Sequence, residues 1–448
     1  MTRLNLSIFH AYDIRGRYPD ELNEEAAGEI GRAVSEMARQ FEPGPVLVAR
    51  DGRISSPQIA AAVMRGLVAG GSRVVDMGVA TTPLLYFIAA RHEVSAGVMV
   101  TASHSPPEYN GLKFVRRGSV SFPEFGGLDE LRQVLTRGLP EPRAGGAIEQ
   151  ADYSDEYVAF LVEHAPAGQF HVAIDSGNGA AGVILPKLLG RLPNVVAERL
   201  NFALDGSFPG RGPNPLKEGA LQGLQQVVRS SGCQLGVAFD GDGDRALFVD
   251  ESGVTIHPDF ITALLGRAQL AKQKGAVVYD IRSSKIVPET IRLAGGEPVV
   301  SPIGYTFIKQ ALREQRGIFG GERSGHYYFP EMQYIDSGLF AFLQLLKALA
   351  REGKPLSQLI LPLQKYVQSG ELNFHVADPA ATIEKIAEHY VDVKQSRLDG
   401  LTVEYPEWWF NLRPSNTEPL VRLNVEANDS VTLASRQAEL TALINGRS

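Results

Sequence analysis

Short apolar runs alternate with amphipathic stretches along most of the chain, and this alternation predicts repeated β/α units. Apolar runs of strand length occur at 46–50, 171–175 and 276–280. Stretches with a helical period lie at 58–67, 220–228, 260–270 and 337–350. Strands that alternate with helices in this way are typical of α/β domains, so we predict such domains up to residue 363.

Three of the predicted strands share a plan, because each opens with glycine and ends in a polar loop. The strands are 97–100, 236–239 and 317–319, and their loops read TASHSPPEYNGLK, DGDGDR and GGERSGH. In open α/β sheets, ligands bind beyond the carboxyl ends of the strands. We therefore expect each loop to lie at the binding edge of its sheet.

Segments rich in proline, glycine and polar residues divide the chain into four predicted domains. The clearest linker is 138–147, GLPEPRAGGA, and weaker breaks lie at 250–253 and 359–365. Beyond residue 365 the pattern is typical of antiparallel strands around one or two helices. The predicted fold is three similar α/β domains with mixed sheets followed by an α+β domain, with boundaries at 1–147, 148–249, 250–363 and 364–448.

Composition and charge restrict the class of protein. The 448 residues are 44% hydrophobic and 21% charged, as in ordinary globular proteins. The net charge is −7 and no long basic cluster is present, so the chain lacks the positive field that attracts nucleic acids and membrane surfaces. We expect neither partner.

Cysteine content and the distribution of apolar residues indicate the compartment. The single cysteine, Cys233, excludes an intrachain disulfide and suits a reducing environment. No run reaches the roughly 18 apolar residues of a membrane-spanning helix. The amino-terminal segment loses its apolar character too early for a signal peptide. We therefore expect a cytoplasmic protein.

The DGDGDR loop is the most specific chemical signal in the sequence. Asp240, Asp242 and Asp244 alternate with glycine, which places three hard oxygen ligands on one side of a tight loop and suits Mg²⁺. An EF-hand is one alternative, and Glu251 even falls at its twelfth position. The sixth position is Arg245 instead of glycine, however, and the flanking residues are typical of strands. An acidic surface turn is the other alternative.

The loop after the strand at 97–100 contains Ser103, His104 and Lys113. A hydroxyl group beside cationic or titratable groups suits a nucleophile or a phosphate carrier. A Ser-His-Pro loop is at least as typical of a capping turn, and no G-x-S-x-G motif surrounds Ser103. By itself this loop therefore leaves both interpretations open.

Two further loops are ambiguous when each is taken alone. Glu322 and Ser324 are two residues apart on a loop expected to be extended, so both can face one side and bind sugar hydroxyls. The loop is equally typical of a simple glycine turn. Arg15, in the segment AYDIRG, is by itself typical of a salt bridge near the chain start.

The segment RPSNTEP concentrates donors for an anion. It contains Arg413, Ser415, Asn416 and Thr417. A guanidinium and several short donors within five residues favour phosphate binding over a capped turn.

Together, these loops resemble those of the α-D-phosphohexomutase family, in particular its bacterial phosphomannomutase/phosphoglucomutase branch. The matching segments occur in the family's order between residues 11 and 419: AYDIRG, TASHSPPEYNGLK, DGDGDR, GGERSGH and RPSNTEP. The resemblance implies a heart-shaped four-domain arrangement. It also implies an intramolecular phosphotransferase that interconverts hexose 1-phosphate and hexose 6-phosphate, of mannose or glucose or both, through a phosphoserine enzyme and a 1,6-bisphosphate.

The resemblance further assigns roles to individual residues. Ser103 would carry the phosphoryl group, and the catalytic group would be completed by His104, Lys113 and Arg15. The metal ligands would be an oxygen of phosphorylated Ser103 and the carboxylates of Asp240, Asp242 and Asp244. The substrate-binding residues would be Arg245, Arg282, Gly304, Tyr305, Glu322, Ser324, His326, Arg413, Ser415, Asn416 and Thr417. The resemblance implies Mg²⁺ as the cofactor and hexose 1,6-bisphosphate as the activator or intermediate. It also implies a phosphosugar as the partner and a monomer or weak dimer as the assembly.

Two departures from the family pattern matter. Ser105 stands where the family usually has asparagine, which leaves the implied role of Ser103 intact, and Arg323 occupies a variable position often filled by methionine, which weakens the assignment of the sugar. Arg282 falls where relatives often have lysine. The alternative substrates are glucosamine phosphate and N-acetylglucosamine phosphate. A metal-dependent phosphatase and a non-catalytic sugar-phosphate-binding protein are the alternatives of other classes.

Overall fold

The computed structural model describes residues 5–122, 126–139, 141–415 and 420–446. The chain divides into two compact units. Unit 1 comprises Met1–Pro258 and Ser324–Ser357, and unit 2 comprises Asp259–Arg323 and Gln358–Ser448.

The first sheet in unit 1 is mixed and carries helices between its strands. Its elements are β1 (Ile14–Arg17), α1 (Glu24–Ala38), β2 (Val46–Arg50), α2 (Ser56–Ala69), β3 (Arg73–Val79), α3 (Thr82–Arg91), β4 (Ala96–Val100), β5 (Tyr109–Arg116), β6 (Val120–Ser121), α4 (Gly127–Arg137) and β7 (Ala147–Gln150). The strand order is β1-β5-β4-β2-β3-β7, with β6 beside β5. Strands β4, β2, β3 and β7 run parallel, whereas β5 is antiparallel to β4.

The second sheet, also in unit 1, contains the predicted acidic loop. Its elements are α5 (Ser154–Glu163), β8 (Phe170–Asp175), α6 (Ala181–Gly190), β9 (Val195–Leu200), α7 (Gln222–Ser231), β10 (Leu235–Phe239), β11 (Ala246–Asp250) and β12 (Thr255–Ile256). The strand order is β12-β11-β10-β8-β9. Strands β10 and β11 form an antiparallel hairpin around residues 240–245, and both are buried along their whole length. The expectation that strands flank DGDGDR is therefore confirmed.

The next stretch of chain continues the β/α alternation. Its elements are α8 (Pro258–Leu270), β13 (Ala276–Asp280), α9 (Ile286–Leu293), β14 (Glu297–Ser301), α10 (Tyr305–Glu314), β15 (Phe319–Gly321), β16 (Tyr327–Tyr328), α11 (Gly338–Glu352) and α12 (Leu356–Ile360). Strand β13 lies between β14 and β15 and runs parallel to both. Short 3₁₀ turns occur at Leu6–Ile8, Arg117–Ser119, Pro330–Met332 and Leu361–Leu363.

Strand β15 differs from the expectation of a strand at 317–319. The observed strand is Phe319–Gly321, because these residues pair with β13 from Val277 to Tyr279. The first two glycines of GGERSGH therefore belong to the strand and not to the loop. Glycine is required at Gly321, because a Cβ there would overlap the hydroxyl group of Thr262 on α8.

The carboxyl-terminal part of unit 2 is an antiparallel sheet with two helices, as the sequence predicts. Its elements are β17 (Val367–His375), α13 (Pro379–His389), β18 (Gln395–Ser396), β19 (Leu401–Glu404), β20 (Trp408–Pro414), β21 (Leu420–Ala427) and α14 (Ser430–Ile444). The strand order is β17-β21-β20-β19-β18. One sheet face carries apolar side chains such as Phe410 and Leu423, which share a core with Ile386 of α13 and Leu440 of α14. Polar side chains occupy the other face.

The predicted class, three α/β domains followed by an α+β domain, is confirmed. The boundaries at 147, 249 and 363 stay a prediction. Cys233 is buried and forms no disulfide. Among the described helices, none combines the length and the apolar character needed to cross a bilayer.

Replacement of Gly321 by alanine tests the close approach of β15 to α8. The new methyl group would force one of the two elements to shift, and overpacking of this kind costs about 1–3 kcal/mol. We expect Gly321→Ala to lower the midpoint of thermal unfolding measured by scanning fluorimetry. Gly190→Ala is the matched control, because a Cβ at the end of α6 meets no described atom within 4 Å. A midpoint for Gly321→Ala at or above that of the wild type would contradict the packing.

Candidate functional site

Ser103 lies in the loop that follows β4, in a backbone conformation that few residues adopt. Its φ is +50°, in the left-handed region, and its side chain is buried. The backbone N–H of Ser103 donates to Thr101 Oγ1 at 2.8 Å. Its hydroxyl group donates to Asp240 Oδ2, also at 2.8 Å. The fold of unit 1 thus places the predicted phosphate carrier against the predicted metal loop.

The three aspartates of the β10–β11 hairpin loop form one buried cluster. Oxygen atoms of Asp240, Asp242 and Asp244 lie within 4.8 Å of one another, and none of the three residues is more than 1% exposed. The backbone turns sharply at Gly243, where φ is +77°. Asp240 Oδ1 accepts the backbone N–H groups of Gly243 and Arg245, at 3.1 and 3.2 Å. The loop therefore fixes its own first carboxylate.

Lys113 on β5 supplies the nearest positive charge to this cluster. Its Nζ donates to Asp242 Oδ2 at 2.8 Å and to Asp244 Oδ2 at 2.7 Å. Thr82, at the start of α3, donates its hydroxyl group to the same oxygen of Asp242 at 2.6 Å. The Oδ2 atoms of both carboxylates are therefore satisfied by residues from the first sheet.

Two oxygen atoms of the cluster point to a further ligand. Asp242 Oδ1 is buried and has no hydrogen-bond donor among the described residues. Asp244 Oδ1 is also buried, and His326 Nε2 lies 3.3 Å from it. Buried carboxylate oxygens of this kind are suitable ligands for Mg²⁺, which prefers oxygen donors. The residues of the loop therefore fit a divalent cation.

The pKa values of the cluster reflect crowded negative charge. Burial raises the pKa of Asp240 well above its usual range, and the carboxylates of Asp244 and Asp242 act in the same direction. Burial alone would also raise the pKa of Asp244, but Lys113 and His326 hold that pKa well below its usual range. Lys113 and His326 thus favour the ionised form of Asp244. For Asp240, the charges of Arg245 and Lys113 do not outweigh burial and the neighbouring carboxylates.

His104 and Arg15 flank the Ser103 hydroxyl. His104 Nδ1 lies 3.3 Å from Ser103 Oγ. The positive charge of Arg245 holds the pKa of the His104 imidazole well below its usual range, and burial and Arg15 add to the effect. Arg15 donates to Ser105 Oγ at 2.8 Å and to Asp13 Oδ2 at 2.6 Å. Ser105, one of the departures from the family pattern, thus helps to hold Arg15 at the loop.

Ser324 and His326, which follow β15 in the chain, also lie at the acidic loop in unit 1. His326 Nε2 is 3.3 Å from both Arg245 Nε and Asp244 Oδ1. His326 Nδ1 is 2.9 Å from Ser324 Oγ. Asp336 forms a second group of possible metal ligands with Asp244 and His326. The guanidinium of Arg245 disfavours another cation there, so we interpret this group as charge compensation.

Arg53 is a buried residue of the site that the sequence interpretation missed. Its guanidinium donates to the carbonyl oxygens of Ser103 and Ser105, both at 2.7 Å. It also bonds the carbonyl oxygens of Pro106 and Tyr109, at 2.6 and 2.9 Å. The available signal is the polar segment DGR at 51–53, which follows β2 as the other functional loops follow their strands.

A buried carboxylate balances Arg53 and ties it to the same loop. Asp51 Oδ2 accepts from Arg53 Nε at 3.0 Å and from Thr101 Oγ1 at 2.7 Å. Neither side chain of this Asp51–Arg53 pair is exposed. A fully satisfied ion pair therefore holds the backbone on both sides of Ser103.

The remaining described residues of the prediction lie in unit 2, most of them in segments that follow strands. Arg282 follows β13 and pairs with Asp280, with Nη2 at 2.9 Å from Oδ2 and Nε at 3.2 Å from Oδ1. The backbone N–H of Arg323 donates to the same Oδ2 at 2.9 Å. Burial alone would raise the pKa of Asp280, but Arg282 holds it below its usual value.

The other sugar-binding candidates in unit 2 lie at the start of α10 and directly after β15. Gly304 precedes α10 with a φ of +130°, and the Tyr305 ring centroid lies 5.3 Å from Lys309 Nζ. Against the effect of burial, the negative charge of Asp280 raises the pKa of the Arg282 guanidinium, and the charge of Glu322, which is buried directly after β15, adds to this rise. Asp280 and Glu322 therefore offset the positive charge of Arg282.

Arg413 near the end of β20 begins the predicted phosphate loop. Its Nη2 donates to Glu371 Oε2 at 2.9 Å. The backbone N–H of Ser415 donates to the carbonyl oxygen of Leu420 at 2.9 Å, which brings the two ends of the loop together. Asn416 and Thr417 lie outside the described residues, so their roles stay predictions.

The predicted site residues therefore fall into two groups, one in each unit. Unit 1 brings together ten of the predicted residues: Arg15, Ser103, His104, Lys113, Asp240, Asp242, Asp244, Arg245, Ser324 and His326. Unit 2 contains the remaining described ones: Arg282, Gly304, Tyr305, Glu322, Arg413 and Ser415. In unit 1, a buried hydroxyl group lies beside a carboxylate cluster that fits a divalent cation and beside the guanidinium of Arg245, and such groups are the equipment of a phosphoryl-transfer enzyme.

Comparison with known proteins identifies that class more closely. Residues 6–126, 151–253 and 257–366 match the alpha/beta/alpha domains I, II and III described for phosphoglucomutase/phosphomannomutase, and residues 371–443 match the C-terminal domain. The chain is 38% identical over 453 residues to a protein named "Phosphohexose mutases" from Xanthomonas campestris pv. campestris (strain B100), covering 99% of this chain and 100% of that one. It is also 38% identical over 449 residues to a phosphomannomutase of Methanocaldococcus jannaschii, covering 98% of each chain.

A solved structure supports the same assignment. The fold is similar to that of a phosphoglucomutase/phosphomannomutase family protein from Burkholderia thailandensis, with a TM-score of 0.91 and 33% identity over 99% of this chain and 98% of that one. The chain therefore belongs to the phosphoglucomutase/phosphomannomutase family and is a phosphohexomutase, an isomerase that acts on a phosphosugar by phosphoryl transfer. The family resemblance of its loops is confirmed.

Removal of the Arg53 guanidinium tests its hold on the Ser103 loop. Arg53→Met leaves Asp51 buried without its counter-ion, and loss of one partner of a buried ion pair costs about 3–5 kcal/mol. We expect a lower midpoint of thermal unfolding and faster proteolysis within residues 101–110. The double variant Asp51→Asn/Arg53→Met removes the uncompensated charge, so it should recover part of the midpoint but not the protection from protease. Wild-type proteolysis of the single variant would contradict this role.

Proposed function

We propose that this phosphohexomutase interconverts the 1-phosphates and 6-phosphates of mannose and glucose through phosphorylated Ser103 and a bound hexose 1,6-bisphosphate. The observation that carries the proposal is the 2.8 Å hydrogen bond from Ser103 Oγ to Asp240 within a buried group of three carboxylates. A buried serine held against such a group is suited to carry a phosphoryl group that is offset by a metal ion.

The transfer has two balanced halves. In the first, the P–Oγ bond of phosphorylated Ser103 breaks as a free sugar hydroxyl attacks the phosphorus; the hydroxyl proton passes to a base, and the departing Ser103 Oγ takes up a proton. In the second, the Ser103 hydroxyl loses its proton as Oγ attacks the other phosphate of the bisphosphate, the bond from that phosphorus to the sugar oxygen breaks, and the sugar oxygen takes up a proton. The net result is exchange of phosphate between C1 and C6.

His104 and Lys113 have different parts in this scheme. The depressed pKa of His104 keeps its imidazole neutral near pH 7, so it can accept a proton beside Ser103 Oγ. Lys113 is held between Asp242 and Asp244, so it orients these two carboxylates and offsets their charge. Arg15, fixed by Asp13 and Ser105, contributes positive charge next to the same loop.

Mg²⁺ is the proposed cofactor of the acidic loop. Asp240, Asp242 and Asp244 would hold it together with an oxygen of phosphorylated Ser103. When bound, the ion supplies neutralisation of charge on the phosphoryl group. Arg245, in the same loop and with its Nε 3.7 Å from Asp240 Oδ2, would supply a guanidinium to the same phosphoryl group.

We assign sugar and phosphate recognition to the remaining residues. In unit 2, Glu322 would bind ring hydroxyls, and Arg282, Gly304 and Tyr305 would contact the sugar. In unit 1, Ser324 and His326 would contribute to sugar binding next to the metal loop. The phosphate that is not transferred would bind to Arg413, Ser415, Asn416 and Thr417.

The cellular setting completes the proposal. A buried free Cys233 and a net charge of −7 suit a cytoplasmic enzyme that acts on small phosphosugars without nucleic-acid or membrane partners. We propose a monomer or weak dimer. Hexose 1,6-bisphosphate is expected to activate enzyme that has lost its phosphoryl group.

Removal of the Ser103 hydroxyl tests the phosphoryl carrier. Ser103→Ala should lower mutase activity by several orders of magnitude, because no oxygen remains to accept the phosphoryl group. The fold should persist, since one hydrogen bond contributes about 1 kcal/mol. Intact-mass spectrometry should show a phosphoryl adduct on the wild type and on the control Ser105→Ala, but not on Ser103→Ala. Full activity of Ser103→Ala would remove this residue from the mechanism.

Metal dependence can be tested separately. A chelator should abolish turnover, and added Mg²⁺ should restore it. Asp242→Asn should raise the Mg²⁺ concentration for half-maximal activity at least about tenfold, as in other sites where coordination is impaired. Asp205→Asn, which alters an exposed carboxylate of the same unit, is the control. Turnover that is indifferent to chelator would leave DGDGDR with a structural role alone.

A panel of sugar 1-phosphates tests the substrate assignment. We expect activity on both mannose 1-phosphate and glucose 1-phosphate, because hydroxyl-binding groups that contact the ring away from C2 do not distinguish the two. Glucosamine 1-phosphate and N-acetylglucosamine 1-phosphate should have a kcat/KM at least about tenfold lower, which corresponds to about 1.4 kcal/mol.

Replacement of Glu322 should lower kcat/KM to a similar extent for the two preferred sugars. Glu322→Gln should lower kcat/KM for mannose 1-phosphate and glucose 1-phosphate alike, whereas the exposed control Glu314→Gln should not. A loss confined to one sugar would show that Glu322 distinguishes C2. A preference for an amino sugar would favour the alternative substrates.

A further inference from the structure

Glu371 on β17 joins two arginines of the carboxyl-terminal sheet. Its Oε2 accepts from Arg413 Nη2 at 2.9 Å, and its Oε1 accepts from Arg422 Nη1 at 2.7 Å. Arg413 and Arg422 are directly opposite each other in the pairing of β20 with β21. Like charges at opposed positions of a sheet repel. The carboxylate of Glu371 therefore allows two guanidinium groups to lie side by side.

A β-bulge in β17 places Glu371 on the correct face for this contact. Gln368 pairs with Glu426 and Glu371 pairs with Asn424, so two residues of β17 oppose the single Val425 of β21. In a regular strand, residues three apart point to opposite faces of the sheet. The bulge reverses this alternation and brings Glu371 to the polar face.

The bulge is itself stabilised by its own residues. Ser369 Oγ accepts the backbone N–H of Val425 at 3.0 Å, which replaces a hydrogen bond of the strand ladder. Gly370 adopts a φ of +73°, a conformation that suits glycine. The position of Glu371 is thus set by the backbone and does not depend on its two ion pairs alone.

The charges around Arg413 favour an additional anion. Arg413 is 8% exposed, and its buried Nε has no hydrogen-bond acceptor in the part of the chain that the structure describes. Burial lowers the pKa of Arg413, and the positive charge of Arg282 adds to this effect. Burial would raise the pKa of Glu371, but Arg413 and Arg422 hold it below its usual value, so this carboxylate stays ionised.

We propose that Glu371 is a positioning residue for the phosphate-binding guanidinium of Arg413. By binding Nη2, Glu371 fixes the plane of the guanidinium and leaves its other N–H groups for the phosphate. The inference rests on the proposed role of Arg413 in binding the phosphate that is not transferred. In the opposite hypothesis, Glu371 occupies the place of that phosphate and must be displaced when the phosphate binds. Removal of the Glu371 charge weakens phosphate binding under the first hypothesis and strengthens it under the second.

Steady-state kinetics of Glu371→Gln test this proposal with mannose 1-phosphate and glucose 1-phosphate as substrates. We expect KM to rise about tenfold or more while kcat stays within about twofold, as when binding common to ground state and transition state is lost. Glu371→Asp keeps the charge but is too short to span both arginines, so its KM should be intermediate. Glu384→Gln is the matched control, because it breaks an exposed bidentate pair with Arg397 in the same sheet domain. Its constants should match those of the wild type.

A double-mutant cycle tests whether Glu371 acts through Arg413. If it does, Glu371→Gln/Arg413→Gln should have the same KM, within about twofold, as Arg413→Gln alone, because coupled residues are not additive. Multiplication of the two single effects would overturn the proposal. An unchanged KM for Glu371→Gln would also overturn it. A lower KM for Glu371→Gln would likewise overturn the proposal and would identify Glu371 as a phosphate mimic.

Binding measurements separate this proposal from the proposed function. Titration calorimetry of glucose 6-phosphate into Ser103→Ala, with and without Glu371→Gln, reports affinity where turnover is excluded. A weaker affinity with Glu371→Gln supports the positioning role even if the wild type is inactive on both sugars, and equal affinity refutes it. Scanning fluorimetry establishes that each variant is folded. If Glu371→Gln is unfolded, Glu371→Asp carries the same comparison.

Discussion

The burial of three aspartates in one hairpin loop is the constraint on which the rest of the site depends. Carboxylates within 4.8 Å of one another repel, and a buried charge without compensation costs several kcal/mol. Lys113, Thr82 and Ser103 provide part of the compensation from the first sheet, more than a hundred positions away in the chain for each contact. A phosphoryl group on Ser103 would add nearly two further negative charges, so a divalent cation is the natural counter-charge.

The two units carry opposite kinds of buried charge: carboxylates are clustered in unit 1 and guanidinium groups in unit 2. Unit 1 gathers three carboxylates beyond the end of β10 and places Ser103, beyond the end of β4, against them, which suits a metal ion and phosphoryl transfer. Unit 2 gathers the guanidinium groups of Arg282, which follows β13, and of Arg413 and Arg422, which lie on β20 and β21, and balances them with Asp280 and Glu371. This is the charge distribution expected for recognition of a phosphosugar. In both units, loops supply some of the charged groups and strands supply the others, such as Lys113 on β5 and Arg413 on β20.

Local patterns in the sequence predict much of this arrangement, and long-range contacts explain what they miss. Buried strands such as β2 and β13 coincide with the apolar runs at 46–50 and 276–280, and DGDGDR predicts its own hairpin loop. Arg53 was missed because its partners lie about 50 residues away and are backbone carbonyl groups, which carry no sequence signal. Glu371 was missed because only the bulge in β17 turns it towards Arg413. Strand β15 was placed two residues early because its limits are set by pairing with β13.

A single-turnover experiment tests the central claim, that the acidic loop and Ser103 together transfer phosphate, most directly. Phosphorylated enzyme is mixed with excess glucose 1-phosphate in the presence or absence of Mg²⁺, and protein and sugar products are quantified after rapid quenching. We predict that, with Mg²⁺ only, phosphate lost from Ser103 appears in an equal amount of glucose 1,6-bisphosphate before glucose 6-phosphate accumulates. Release of inorganic phosphate in place of bisphosphate, or transfer at the same rate without Mg²⁺, would contradict the account.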